Sequence, residues 1–426
     1  MNTMKLAAQV NPARTTNRWW MAAMGTALQM CIGTVYAWSY FQNPLAQTYG
    51  WNNTQVAWVF STTILFLSLG AAVGGTQLPK YGPRKLAVLG ILLFGSGYLL
   101  GALALHFKSL PLLYLGYGVV GGTGIGLAYV PPVATVAKWF PDKKGLATGM
   151  VIMGFGLGAM IMSKGVAPLL LHTFDHSFPT VFAVLGVAFL LVATPIAWVL
   201  QDPPSGSATG GGYGAGTGAV QYPSVRALLT SGRFAMMWGV MFCNTVAGIM
   251  FIGFQSPMVQ ELWHRRDASL TVEQLAGYGA TLIAFSALFN GVGRFAWGSL
   301  SDKLGRVTVF RIMLLSQFAA FVALGFVQSP WMFGALVCYI LLCYGGGFGT
   351  LPAFVSDTFG SKMMATAYGA LLTTWGSAGI VGPQLVAWLR DNYPENASAY
   401  AFHVGAGFLL AGFVVSLGLH HPVKKA

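Results

Sequence analysis

Of the 23 lysines and arginines in the chain, two stand inside long apolar stretches: Lys164 within 146–171 and Arg294 within 272–300. An arginine at the centre of a membrane helix costs about 2.5–3.5 kcal/mol on insertion scales, so its presence calls for a compensating role. A permanent acid partner would be one such role, but all ten Asp and Glu fall in connections or at the ends of apolar stretches. The other is an anion that comes and goes. A guanidinium presents parallel N–H donors that match the two oxygens of a carboxylate, which makes Arg294 a carboxylate-binding candidate. Lys164 is open to three readings: its stem snorkels to the membrane interface, it attracts anions at an outer vestibule, or it is buried and carries a proton. If it reached the cavity it would add a second cation and favour dicarboxylates.

Rings and hydroxyls gather at the depth of Arg294. That residue lies eight positions before Asp302, about 12 Å along a helix at 1.5 Å per residue and close to the midplane, where membrane carriers bind their cargo. Tyr129 stands ten residues before Trp139, Tyr344 and Phe348 share a helix face at i, i+4, Trp375 lies thirteen residues beyond Lys362, and Tyr36 is in the outer part of the first apolar stretch. Asn290, one turn outward from Arg294, offers a further hydrogen bond. A single aromatic at helical spacing is more often packing than binding. Five at one depth, on four helices around one arginine, form a wall that excludes water while phenols orient a small anion.

The elements that must hold these residues follow from composition. The chain has 426 residues, of which 55% are hydrophobic and 8% charged, and its mean hydropathy is +0.64. Soluble domains carry about 25% charged residues, so this is an all-α integral membrane protein whose partner is the lipid bilayer. Soluble enzymes, nucleic-acid binders and disulfide-built modules are excluded; the net charge of +13 belongs to basic loops. Apolar windows at 19–42, 54–78, 86–106, 111–137, 146–171, 178–200, 234–260, 272–300, 307–327, 331–356, 364–389 and 398–420 predict 12 transmembrane helices. The first is too long for a signal-peptide core and is read as a retained span. Alternate connections carry 17 of the 23 basic residues and the opposite ones carry 4, which places both termini in the cytoplasm of a plasma membrane, the inner membrane in a bacterium. Cys31, Cys243, Cys338 and Cys343 lie within spans without metal-ligand spacing, and the histidines sit at span ends. No metal, no cofactor and no nucleophile–base pair or paired-carboxylate site is expected, which argues against an intramembrane enzyme.

Residues 201–222 are rich in Gly, Ser, Thr and Ala and read as a flexible linker. The organisation is therefore 1–200, a linker at 201–225, and 226–426. The two halves repeat. Phe41-Gln42-Asn43-Pro44 returns as Phe254-Gln255-Ser256-Pro257, and Gly75, Lys80 and Gly82 return as Gly298, Lys303 and Gly305. Pro132, Ala147, Gly149 and Gly156 return as Pro352, Ala367, Gly369 and Gly376, at an offset of 220. Three ordered matches indicate two pseudo-symmetric six-helix halves.

Two such halves, with a G-x-x-x-D-x-x-G-R signature at Gly298, Asp302, Gly305 and Arg306, resemble the major facilitator superfamily. The resemblance implies that this loop helps to lock the cytoplasmic side, and more weakly in the first half, where Pro79 replaces the Asp. The run from Ala137 to Gly149, Tyr36-Ala37-Trp38 before Asn43-Pro44, and Asn290-Gly291-Val292-Gly293-Arg294 resemble the oxalate:formate antiporter family, with monocarboxylate carriers as more distant relatives. The likeness implies that Arg294 is the substrate arginine and that Tyr36, Tyr129, Tyr344, Phe348 and Trp375 line a central cavity. Trp375 stands where the oxalate carrier has a second basic residue, so a monocarboxylate such as lactate, pyruvate or formate is the expected cargo. Asn290 stands where animal carriers tend to have a proton-linked Asp, which Asn does not replace. Proton symport and anion exchange both stay open, as do an oxalate/dicarboxylate:formate antiporter and, in another class, a non-transporting sensor on the same fold. The protein is expected to work as a monomer.

Overall fold

A computed structural model of the chain describes residues 17–140, 144–204 and 224–419. Most of the expected linker lies outside the described residues, as do Lys5, Arg14, Lys143, Lys424 and Lys425. The regular structure of the described residues is helical. Hydrocarbon offers the backbone no hydrogen-bond partners, and helices satisfy every N–H and C=O within their own segment.

Among the described residues, nine helices are long and apolar enough to cross a membrane. Asn53–His106 counts once among them but has 54 residues, about 80 Å of helix against a hydrocarbon core of about 30 Å. It is spans 2 and 3, joined where Gly82 takes φ 76°. Span 1 escapes the length criterion because it is broken into Arg18–Gly33, a 3-10 turn at Thr34–Ala37, and Trp38–Tyr49. It also runs past the apolar window that ends at residue 42: backbone hydrogen bonding carries the helix through polar residues until Gly50 caps it at φ 67°. Span 11 leaves the long helix Pro330–Leu371 after Gly360, at φ 76°, and resumes as Thr373–Asn392. The others are Leu110–Trp139, Ala147–Thr173, Phe178–Val199, Gly232–Arg266, Val272–Leu304, Arg306–Leu324, Pro330–Gly360 and Ala397–Leu417, spans 4 to 10 and 12.

Local chemistry fixes the helix ends. Asn52 with Gln55 and Thr271 with Gln274 form capping boxes that start spans 2 and 8. Between spans 8 and 9 the chain reverses at Gly305, φ 86°, the repeat counterpart of Gly82; a side chain at these angles would meet its own backbone. Of the most apolar window of span 4, 78% is buried, against 39% for spans 6 and 12, so span 4 is central and the latter pair face lipid.

Alternation of direction puts Lys80, Arg84, Lys138, Lys303 and Arg306 on one face of the bundle, the basic face, and Lys108, Arg265, Arg266 and Arg390 on the opposite one. Spans 5 and 8 meet across the halves at a point so tight that a Cβ on Gly156 would lie 3.0 Å from the Gly291 nitrogen. Toward the opposite face, Gln384 donates to the Ser61 hydroxyl at 3.2 Å, joining spans 11 and 2.

Candidate functional site

Glycines let span 10 lie against the backbone of span 8. A Cβ at Gly349 would lie 2.1 Å from the Arg294 carbonyl oxygen, and one at Gly345 would lie 2.0 Å from that of Asn290. Close approach brings Tyr344 and Phe348, on the same face of span 10, beside the Arg294 side chain, which is 1% exposed. Its Nε donates to Asn290 Oδ1 at 3.3 Å, so Asn290 orients the guanidinium from one turn away. The two terminal nitrogens, Nη1 and Nη2, are buried without a hydrogen-bond partner. Among the described residues no ion pair involves Arg294.

The guanidinium lies between two rings, 5.6 Å from the centroid of Phe155 on span 5 and 5.5 Å from that of Phe348 on span 10. Ring faces carry negative potential, so this sandwich offsets part of the cost of burying the charge, by about 2 kcal/mol per desolvated pair. Neither ring supplies the pair of acceptors that the fork requires.

The six rings form a closed box. Trp375, on span 11, packs on Phe348 at 4.9 Å, Tyr129 at 5.3 Å, Phe155 at 5.5 Å and Tyr36 at 6.1 Å, and Phe155 meets Tyr36 at 5.0 Å. Tyr36 and Tyr344 share a hydrogen bond of 2.6 Å across the two halves, which shuts the box toward the opposite face. Trp375 Nε1, Tyr129 Oη and Tyr368 Oη are, like the fork of Arg294, buried without partners. Buried polar groups are nearly always paired, so five unpaired polar atoms on neighbouring residues make this a candidate site for a polar ligand.

The structure thus brings Arg294, Asn290, Tyr36, Tyr129, Tyr344, Phe348 and Trp375 together. Two residues, one in the box and one beside it, are absent from the sequence expectations. Phe155 is one of 29 phenylalanines and has no polar atom to single it out, yet the offset of 220 that pairs Gly156 with Gly376 also pairs Phe155 with Trp375. Tyr368 lies two turns nearer the basic face than Trp375 and beside the Tyr129 phenol.

Lys164 is not in the box. It is exposed, in the π-helical segment Met162–Val166, and its Nζ donates to the Gly277 carbonyl at 3.4 Å, across the halves near the start of span 8. Nine residues of helix, about 13 Å, separate it from Phe155, so it stands outside the box and supplies no second cation there.

Gly298, Asp302, Gly305 and Arg306 are also apart from the box, at the basic end of span 8. Arg306 pairs with Asp302 at 2.6 Å and with Asp357 on span 10 at 3.1 Å, and donates to the Ser301 hydroxyl. The signature therefore ties span 8 to span 10 within the second half.

The family model of the Major Facilitator Superfamily matches residues 22–383. The chain is similar to the oxalate:formate antiporter of Oxalobacter formigenes, with 26% identity over 96% of this chain and 94% of that protein. It is similar to apicoplast pyruvate carrier 1 of Toxoplasma gondii, with 28% identity over 74% of this chain and 65% of that one. It is also similar to monocarboxylate transporter 11 of Homo sapiens, with 26% identity over 88% and 77% of the two chains.

Proposed function

The chain belongs to the Major Facilitator Superfamily, and on that premise we propose that it is a secondary active carrier of small monocarboxylates of the lactate, pyruvate or formate type. The observation that carries the reading is Arg294: a buried cation with no acid partner, whose fork Nη1 and Nη2 is unpaired inside a box of rings. A carboxylate supplies both the missing acceptors and the missing negative charge. One cation neutralises one carboxylate, and the indole of Trp375 closes the side where a second cation would serve a dianion. Oxalate or another dicarboxylate in exchange with formate is the second reading, supported by the likeness to the oxalate:formate antiporter.

Transport proceeds by rocking of the two halves about the box. The basic face is cytoplasmic, with both termini on that side of the plasma membrane, and the cluster of Arg306, Asp302 and Asp357 stiffens its gate. The protein acts as a monomer. Coupling is anion exchange or proton symport. With the box empty, Arg294 is an uncompensated charge during the return stroke, which favours return with a second anion; Asn290 takes up no proton, so a symported proton travels on another group or on the acid itself.

Uptake of labelled lactate and oxalate into liposomes containing the purified protein tests this reading. Accumulation in empty vesicles under an inward proton gradient establishes symport, and uptake only into anion-loaded vesicles establishes exchange. Uptake of oxalate without lactate selects the second reading, and uptake of neither, with formate and pyruvate equally inert, overturns carboxylate transport.

A further inference from the structure

On the face opposite the basic one, the ends of spans 7, 9 and 12 enclose a cavity of about 210 Å³ that shares no residue with the aromatic box. Its floor is apolar and buried, made by Met258, Leu324, Phe333 and Phe402. Its lining also carries three charges, Glu261 and Arg265 on span 7 and Glu395 just before span 12. Met258, Glu261 and Arg265 follow one another at i, i+3 and i+7 and so share one face of their helix. Glu261 is engaged by Arg390 at 2.6 Å. Among the described residues Arg265 and Glu395 form no ion pair, although both line the same small space. A cation and an anion held apart in one cavity are complementary to a zwitterion.

The surroundings point to lipid as the source of that zwitterion. Trp331, Tyr393 and Tyr400 are exposed at the same ends of spans 10, 11 and 12, and exposed rings of this kind collect at the depth of lipid headgroups. Val322 and Phe326 at the end of span 9, and Tyr400 and Val404 at the start of span 12, are exposed pairs at i, i+4. They give acyl chains an apolar track away from the cavity. We propose that this cavity binds the headgroup of an ethanolamine phospholipid, with its phosphate on Arg265 and its ammonium on Glu395. The guanidinium fork matches two phosphate oxygens. A primary ammonium brings three N–H donors to the carboxylate, whereas the quaternary nitrogen of a choline lipid brings none. A glycerol lipid has no cation and sets its phosphate charge beside Glu395. The bound lipid ties the ends of spans 7, 9 and 12 together.

The test is native mass spectrometry of the delipidated full-length protein equilibrated with phosphatidylethanolamine, phosphatidylcholine and phosphatidylglycerol of matched chains in equal amounts. The ethanolamine lipid is expected to be retained at least about threefold over either of the others, the range for two partly exposed ion pairs. Glu395→Gln is expected to bring the ethanolamine and choline lipids to near-equal retention, and Arg265→Ala to lower the retention of all three, whose phosphate is common. Both side chains are exposed, so neither change disturbs the core. Equal retention of the three lipids by the wild type, or a preference that survives both substitutions, would overturn the proposal. Displacement of the bound lipid by an equal concentration of glycerophosphoethanolamine would assign the cavity to a free zwitterion and overturn the lipid reading, and failure to displace it supports that reading. Carboxylate uptake takes no part in these readouts, so their outcome is independent of the proposed cargo.

Discussion

The Asp391 carboxylate at the end of span 11 docks on Thr54 in the first turn of span 2, accepting the Thr54 amide at 3.0 Å and the Thr54 hydroxyl at 2.5 Å. Asn53 adds its side-chain amide at 3.2 Å. The free N–H groups of a helix start favour an anion, and here the anion comes from the other half of the chain. The contact lies on the face opposite the basic one, outside the Tyr36–Tyr344 bond, so the two act as successive bolts on the same door.

Asp391→Ala removes the outer bolt. The population open toward that face is expected to rise by about twofold to fivefold, the range for a lost anion at an exposed helix start. The measurement is the labelling rate of Ser61→Cys by a membrane-impermeant maleimide, in a background lacking Cys31, Cys243, Cys338 and Cys343, because Ser61 is covered by Gln384 until the halves part. An unchanged rate would show that the bolt does not limit opening.

Arg294→Met is expected to abolish carboxylate binding and to leave the thermal stability of the ligand-free protein nearly unchanged. The side chain is buried without an acid, so the insertion cost of about 2.5–3.5 kcal/mol that its removal relieves is close to the contribution of about 2 kcal/mol from each of the two ring contacts that is lost. Thermal unfolding in detergent and titration with lactate read the two effects separately. A large fall in the melting temperature would mean that Arg294 has a structural partner.

Trp375→Lys places a second cation against the first. Competition for labelled lactate is expected to shift toward oxalate by tenfold or more, as a dianion gains a partner for its other carboxylate. The ligand-free protein should be less stable, since two like charges share the box. Selectivity that stays put would mean that Trp375 does not set the charge of the cargo.

Gly349→Ala inserts a methyl group where only 2.1 Å is open before the Arg294 carbonyl. Span 10 has to move off span 8, with a loss of about 1–3 kcal/mol in stability and at least a tenfold loss in lactate affinity as Phe348 leaves the guanidinium. Melting temperature and calorimetry check both, and a variant with native affinity would show that the helix contact does not position the arginine.

Much of this was readable in the sequence, for a physical reason. In a membrane helix, depth is proportional to residue number, so counting from Asp302, Trp139 and Lys362 places Arg294, Tyr129 and Trp375 at one level without any coordinates. What counting along single helices does not give is rotation about each helix axis. That is why Lys164, whose π-helical segment turns it outward to Gly277, left three readings open, and why Phe155 went unnoticed although the internal repeat points to it. Tyr368 was obscured differently: span 11 breaks between Leu371 and Thr373, so its register on the basic side of the break does not follow from the straight helix that holds Trp375. The linker and the basic ends offered no such rule.

The contact of Gly156 with Gly291 bears on how fast the halves exchange positions. Interlocked side chains resist rotation, since each must withdraw from its socket before the next position is reached. Here a glycine faces a glycine, and the flanking side chains are those of Met153 and Leu157 against Gly291, so less has to withdraw. Spans 5 and 8 therefore meet as a plain bearing, placed one turn from the Arg294 charge proposed to bind the cargo, where friction would be most damaging to turnover.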